Sequence, residues 1–420
     1  MPSSNQKNYL KSNIIGKNFG VELAIGKENI TKYVRTVRII DNISSAWPTF
    51  AIGLLIDPND LILQDIYGKK EMTLVISLNG EDGQTVERNI FHLLYLQDNV
   101  LLTPRTQQSQ TQAELAPTTF ACVPVYAVNL MGSFVNFAWQ EEKGITNPTE
   151  IIKSYLDKYG FRYEIDDRNA LTKEIRQLLV PPMSFNQFIK HIYRHNGLYE
   201  GPPLFKCAFD GKFKMWDLSK RATDSAKFTV YQMPAGGESK LLLDKVFKKS
   251  NPEKTFVTRD NIETVYHSNA NILKHGYDIL QVTHPDNSIY KLRYSNMDTI
   301  AEQYGIFTET KKLEYNGILR ARKKYYYTTS GDRGDDVVNT YGSVAIMKTL
   351  VIRLKLRRNI RMKTAFNVGE PCLFEPTVME HLRYRGKYVL DSVDYRLDRM
   401  DGDNWTAECV LSMFRTSNKQ

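Results

Sequence analysis

The sequence predicts an α+β chain, mostly β, in which two small β-barrel-like domains bracket an α+β middle. Three observations carry this. Near each end, apolar and β-branched residues alternate with polar ones at the period of two that a half-buried strand requires. Between them, two segments switch to the 3.6-residue stripe of an amphipathic helix, each with its own start and stop residues. The chain's 420 residues exceed the usual size of one core, while 42% apolar and 25% charged residues are ordinary globular usage.

Residues 1–18 form a polar arm with no apolar signal segment. Residues 19–104 are the first β-barrel domain. Tyr33 to Ile40 and Met72 to Leu78 alternate, Asn79-Gly80 and Asp82-Gly83 supply turn chemistry, and Trp47-Pro48 and Ile56 to Asp60 punctuate the chain. Asp60 to Leu63 reads as the start of a short helix. Residues 105–118 are a linker or mobile loop, because the run from Thr103 to Thr119 is Gln-rich, bounded by prolines and poor in large apolar groups.

Residues 119–222 are the α+β domain. One helix opens with Asn147 as N-cap and Pro148 at its first position, aligns Ile151, Ile152, Tyr155 and Leu156, and stops at Gly160. A second opens at Ser184, aligns Phe188, Ile189, Ile192 and Tyr193, and stops at Asn196-Gly197. A hairpin follows, Phe205 to Phe209 and Lys212 to Trp216 about a turn at Asp210-Gly211. Residues 223–343 are β-rich but irregular, contributing strands to either neighbour, with Tyr325, Tyr326 and Tyr327 crowded together and a Gly/Asp-rich loop from Ser330 to Asp336. Residues 344–420 are the second barrel domain, with strands at Val351 to Arg357, Gly386 to Leu390 and Trp405 to Leu411 and a turn at Gly369-Glu370-Pro371.

The charge is local. Residues 311–363 hold fourteen Lys and Arg against four Asp and Glu, a net of +10, which leaves −1 for the rest of a chain whose total is +9. Within that segment Arg353, Lys355 and Arg357 project from one face of a strand while Ile352, Leu354 and Leu356 project from the other. The cationic row continues through Arg358, Arg361 and Lys363. Two readings stand side by side: a solvated face, or a row facing an acidic partner, since like charges in a line repel one another.

Other chemistry is thin. His191 and His195 share the i, i+4 spacing of a zinc protease, but the glutamate that must follow the first histidine is Ile192. Arg333-Gly334-Asp335 matches an adhesion tripeptide that chance supplies freely, and Asp332, Asp335 and Asp336 lack the ligand spacing of a calcium loop. Cys122, Cys207, Cys372 and Cys409 stand far apart and read as buried free thiols. No phosphate loop or nucleophile elbow is present. No catalytic, cofactor-binding or metal-binding residue is therefore assigned, and no stretch reaches the roughly eighteen apolar residues of a membrane span.

Several stretches, in order along the chain, resemble the central baseplate hub proteins of contractile-tailed bacteriophages, a family related to late-control protein D and to the hub part of type VI secretion spike proteins. They are Asp41 to Pro48 with Leu54 to Asp60 and Ile66-Tyr67-Gly68, then Ser184 to Ile189, Gly197-Leu198-Tyr199 and Phe213 to Leu218, and finally Asn367 to Phe374, Gly386 to Leu390 and Trp405 to Thr416. The resemblance implies a non-enzymatic homotrimer, made in the host cytoplasm and housed in the virion. Each chain would contribute two barrels to a pseudo-sixfold ring between the sixfold tail tube and the trimeric central spike. Its implied partners are the spike protein, the tube or tube-initiator protein, the baseplate wedge proteins and the tape-measure protein. Because the chain stops at Gln420 without a needle or lysozyme domain, a separate spike is expected. Two other functions are weighed against it: a nucleic-acid-binding protein using residues 311–363 with the neighbouring tyrosines as stacking groups, and a baseplate cell-wall hydrolase.

Overall fold

The computed structural model describes residues 18–56, 65–68, 71–79, 85–100, 116–140, 147–172, 175, 177–199, 203–234, 254–266, 278–283, 291–296, 323–328, 350–357, 366–400 and 404–414. The first module holds β1 (Asn18–Ile25), β2 (Glu28–Asn29), β3 (Val34–Asn42), β4 (Thr49–Ile56), β5 (Met72–Asn79), β6 (Thr85–Val100) and β7 (Ala116–Pro124). Alternation decides which side chains enter its core: Val37 and Ile39 on β3, and Leu74, Ile76 and Leu78 on β5, are buried. Residues 116–118, read from composition as linker, begin β7, where Thr118 is buried between Leu54 of β4 and Val100 of β6. The β-branched threonines there outweigh the polar composition of the preceding run.

The α+β middle contains α1 (Val125–Met131), β8 (Phe134–Gln140), α2 (Pro148–Lys158), β9 (Tyr163–Ile165), β10 (Gln177–Ser184), α3 (Phe185–Asn196), β11 (Pro203–Cys207), β12 (Phe213–Asp217) and α4 (Leu218–Ala222). Both helices expected from the sequence form at the expected places, although the Asn147 side chain makes no capping bond on α2. Ser184 and Gln187 make a reciprocal capping box on α3, and Gly160 and Gly197 take the positive φ that ends each helix. Their apolar stripes build a separate core around Ile152, Leu156, Phe185, Phe188 and Ile192.

The remaining strands are β13 (Phe228–Gln232), β14 (Thr255–Thr258), β15 (Glu263–Tyr266), β16 (Asp278–Thr283), β17 (Lys291–Asn296), β18 (Lys323–Thr328), β19 (Leu350–Arg357), β20 (Pro371–Pro376), β21 (Gly386–Arg399) and β22 (Trp405–Phe414). The fold is mostly β and of the α+β class, as the sequence predicts. The two β modules are not separate bodies. β21 pairs with β20 along its first residues and with β3 from Ser392 to Asp398, while β22 covers its other edge. One fourteen-stranded sheet results, over a single apolar core running from Phe19 to Met413. No closed barrel of paired strands is formed among the described residues.

The α+β domain and the first module exchange parts. Ala46 and Trp47, on the β3–β4 loop, pack against the α+β core, and the Cys207 amide donates to the Ala46 carbonyl at 2.7 Å. In return Phe209, at the tip of the β11–β12 hairpin, enters the sheet core among Phe50, Phe91 and Tyr395, with ring centroids 6.5, 6.1 and 6.4 Å away. Tyr126 of α1 fixes the same tip by donating to the Ala208 carbonyl.

Candidate functional site

The cationic strand lies on β19, between β15 and β22. Ile352, Leu354 and Leu356 are buried, Arg353 is exposed and Lys355 half-exposed on the opposite face, so the alternation read from the sequence holds there. Arg357 pairs in register with Glu408 of β22, and its side chain lies outside the described residues, as do Arg358, Arg361 and Lys363 entirely. The two described cations have acidic neighbours within the chain itself. The Arg353 guanidinium meets Glu263 at 3.2 Å and the Lys355 ammonium meets Glu408 at 2.6 Å.

The pairing continues across the shared sheet. Arg396 bonds Asp398 at 2.9 Å, and Arg38 of the first module grips Asp394 of the second at 2.7 and 3.0 Å, which raises the Arg38 pKa further. The outer face from β15 to β3 is thus a lattice of alternating charge rather than a bare cationic stripe. Such exposed pairs contribute little stability, about 0–1 kcal/mol each, and fix which charges an approaching partner meets.

A second polar cluster fastens the α+β domain to the second module. Arg168 holds Asp224 with both terminal nitrogens at 2.7 and 2.8 Å and Asp166 at 2.9 Å, and Lys387 of β21 donates to the Asp224 carbonyl at 2.5 Å. Arg221 lies 4.8 Å from the Trp216 ring centre and bonds Glu370 at 3.2 Å. Hydrogen bonds from Arg168 hold both aspartates below their ordinary value of 3.8. A carboxyl depressed in this way stabilises the fold above its ordinary pKa, and that contribution is lost as pH falls through the lower folded value. Asp224→Asn should therefore flatten the loss of melting temperature below about pH 4, followed by circular dichroism during acid titration. An unchanged slope would discard the cluster as an acid-sensitive tie.

Elsewhere the residues singled out by sequence form no site. His191 lies on α3, the His195 side chain is outside the described residues, and buried Ile192 occupies the place of the missing glutamate. Tyr325 to Tyr327 sit on β18 with undescribed side chains, and the Gly/Asp-rich loop, residues 103–115 of the Gln-rich run, Asp60 to Leu63 and the turn residues Gly80 to Gly83 lie outside the described residues. Among the described residues no group of three or more His, Cys, Asp or Glu is placed to hold a metal ion, and no helix is long and apolar enough to cross a membrane. The four cysteines are free and buried, and burial pushes the Cys122 and Cys207 thiols up to about 12.

Sequence reasoning missed the junction residues. Asp41 stood out only through the family resemblance, Trp47 through it and as punctuation between strands, and Lys206 and Phe209 only as members of a hairpin. Lys206 between Phe205 and Cys207 gives no local sign that its partner lies 165 residues earlier.

The fold as a whole is similar to that of two solved tail proteins. A tail protein from Neisseria meningitidis MC58 superposes with a TM-score of 0.54 over 95% of this chain and 96% of its own, at 10% identity. The 43 kDa tail protein of prophage MuSo2 from Shewanella oneidensis does so with a TM-score of 0.53 over 95% and 98%, at 8% identity. No protein-family model and no curated protein matches the sequence.

Proposed function

We propose that the chain is a structural tail protein, a non-enzymatic baseplate hub housed in the virion. In this reading it forms a homotrimeric ring that adapts the sixfold tail tube to the trimeric central spike, with wedge and tape-measure proteins as further contacts. The observation that carries it is the end-to-end correspondence with a tail protein, 95% of this chain against 96% of that one. The β3–β21 seam supports it, because each chain already presents two β modules side by side, and three chains would supply six. Light scattering on the purified protein at micromolar concentration is expected to give three times the chain mass. A monomer both alone and with the cognate spike would sink the ring.

The lattice on β19 is proposed as the surface that meets the lumen contents or an acidic partner. Changing Arg353, Lys355 and Arg357 together to Gln should shift stability by no more than about 1–2 kcal/mol, since the described members are exposed or half-exposed. It should lower the binding of tube or spike in pull-down assays. Full binding would return the face to a solvated role, and DNA binding by the wild type that weakens steeply with salt would favour a nucleic-acid partner instead.

A further inference from the structure

The exchange between the first β module and the α+β domain has three parts of different character. Ala46 with Trp47 and Phe209 are apolar plugs, and apolar contact is non-directional, so the plugs and the single Cys207-to-Ala46 backbone bond hold the angle between the two bodies only weakly. The third part is directional. Alternation along β3 turns Asp41 inward with Val37 and Ile39, and there it meets the Lys206 ammonium of β11, the two side chains being 3% and 2% exposed. Lys206 also donates to the Asn42 carbonyl at 3.1 Å, and the buried Lys214 adds a second positive charge near Asp41.

We propose that the buried Asp41–Lys206 pair is an orientation lock that admits one seating of the α+β domain on the first β module. Rotation that preserved both plugs would still leave a carboxylate and an ammonium buried without partners, which is heavily penalised. Burial pushes the Asp41 carboxyl up from its ordinary value even though Lys206 pulls it down. Because both charges give up their water on burial, a pair of this kind selects a geometry more than it adds net stability. This inference is independent of the proposed tail role.

The test uses the full chain with spin labels at Glu28→Cys on β2 and Ser154→Cys on α2, both exposed, the native cysteines being buried. One narrow label-to-label distance is expected for the otherwise wild-type protein. Lys206→Met should lower the melting temperature by about 10 °C, because Asp41 is left without its cation. Asp41→Leu with Lys206→Leu should recover most of that loss yet broaden the distance or add a second one. Two results overturn the proposal: a leucine pair that keeps the single narrow distance, and a Lys206→Met chain as stable as the wild type. Should the leucine pair fail to fold, Asp41→Asn with Lys206→Met is read by the same criterion, broadening in support and a single narrow distance against.

Discussion

Replacing Phe209 by alanine is expected to destabilise the chain by about 3–5 kcal/mol, the usual cost of emptying a buried aromatic site. The ring is 4% exposed and touches three aromatic side chains drawn from β4, β6 and β21, so its loss opens a cavity where both β modules and the α+β domain meet. Collapse of the site is opposed by the strand ladders on which those rings stand. The expected signature is a lower denaturation midpoint together with faster amide exchange on β4, β6 and β21. A loss under about 1 kcal/mol would mean that the hairpin tip merely rests on the sheet.

Gly369→Ala should have the second largest effect, about 2–4 kcal/mol, from two sources. The backbone there has φ +85, a region in which an L side chain is strained, and an added methyl would stand 2.5 Å from the Leu204 Cδ2 atom and 3.4 Å from the Leu218 Cδ2 atom. Leu204 is itself buried, so it has little room to yield. Combining Gly369→Ala with Leu204→Ala should cost less than the sum of the two single changes, because the second removes the clash that the first creates. Strict additivity in thermal melts would show that the backbone angle alone is responsible.

These two positions divide what the sequence discloses from what it hides. Gly369 was legible as a turn residue, since Gly-Glu-Pro marks a turn, and the structure puts a positive φ there, while β20, which starts at Pro371, was not read. Helix α3 was legible for the same reason, its cap and its stripe being local. Phe209 was not legible, because an aromatic residue at a hairpin tip has the same local pattern whether it faces water or another domain's core. The alternation on β19 was readable as far as Lys355, but Glu263 and Glu408 pair with it across 90 and 53 residues of chain, and no local period encodes such neighbours. The merging of the two modules escaped for the same reason: period-two patterning fixes the inward face of a strand and says nothing of which strand lies beside it.

The β3–β21 ladder also sets a constraint on biosynthesis. Arg38 and the Asp394 it grips are separated by 356 residues, so β3 leaves the ribosome long before its neighbour exists. At translation rates of about 5–20 residues per second, that strand's edge stays unmatched for roughly 20–70 s. During this interval it is a template for pairing with other nascent chains, and its buried-face residues Val34, Val37 and Ile39 are apolar. The N-terminal half of the protein is therefore the part most in need of a chaperone, and a chain released early, before Ser392 to Asp398 are made, should be recovered in aggregates rather than as a smaller folded protein.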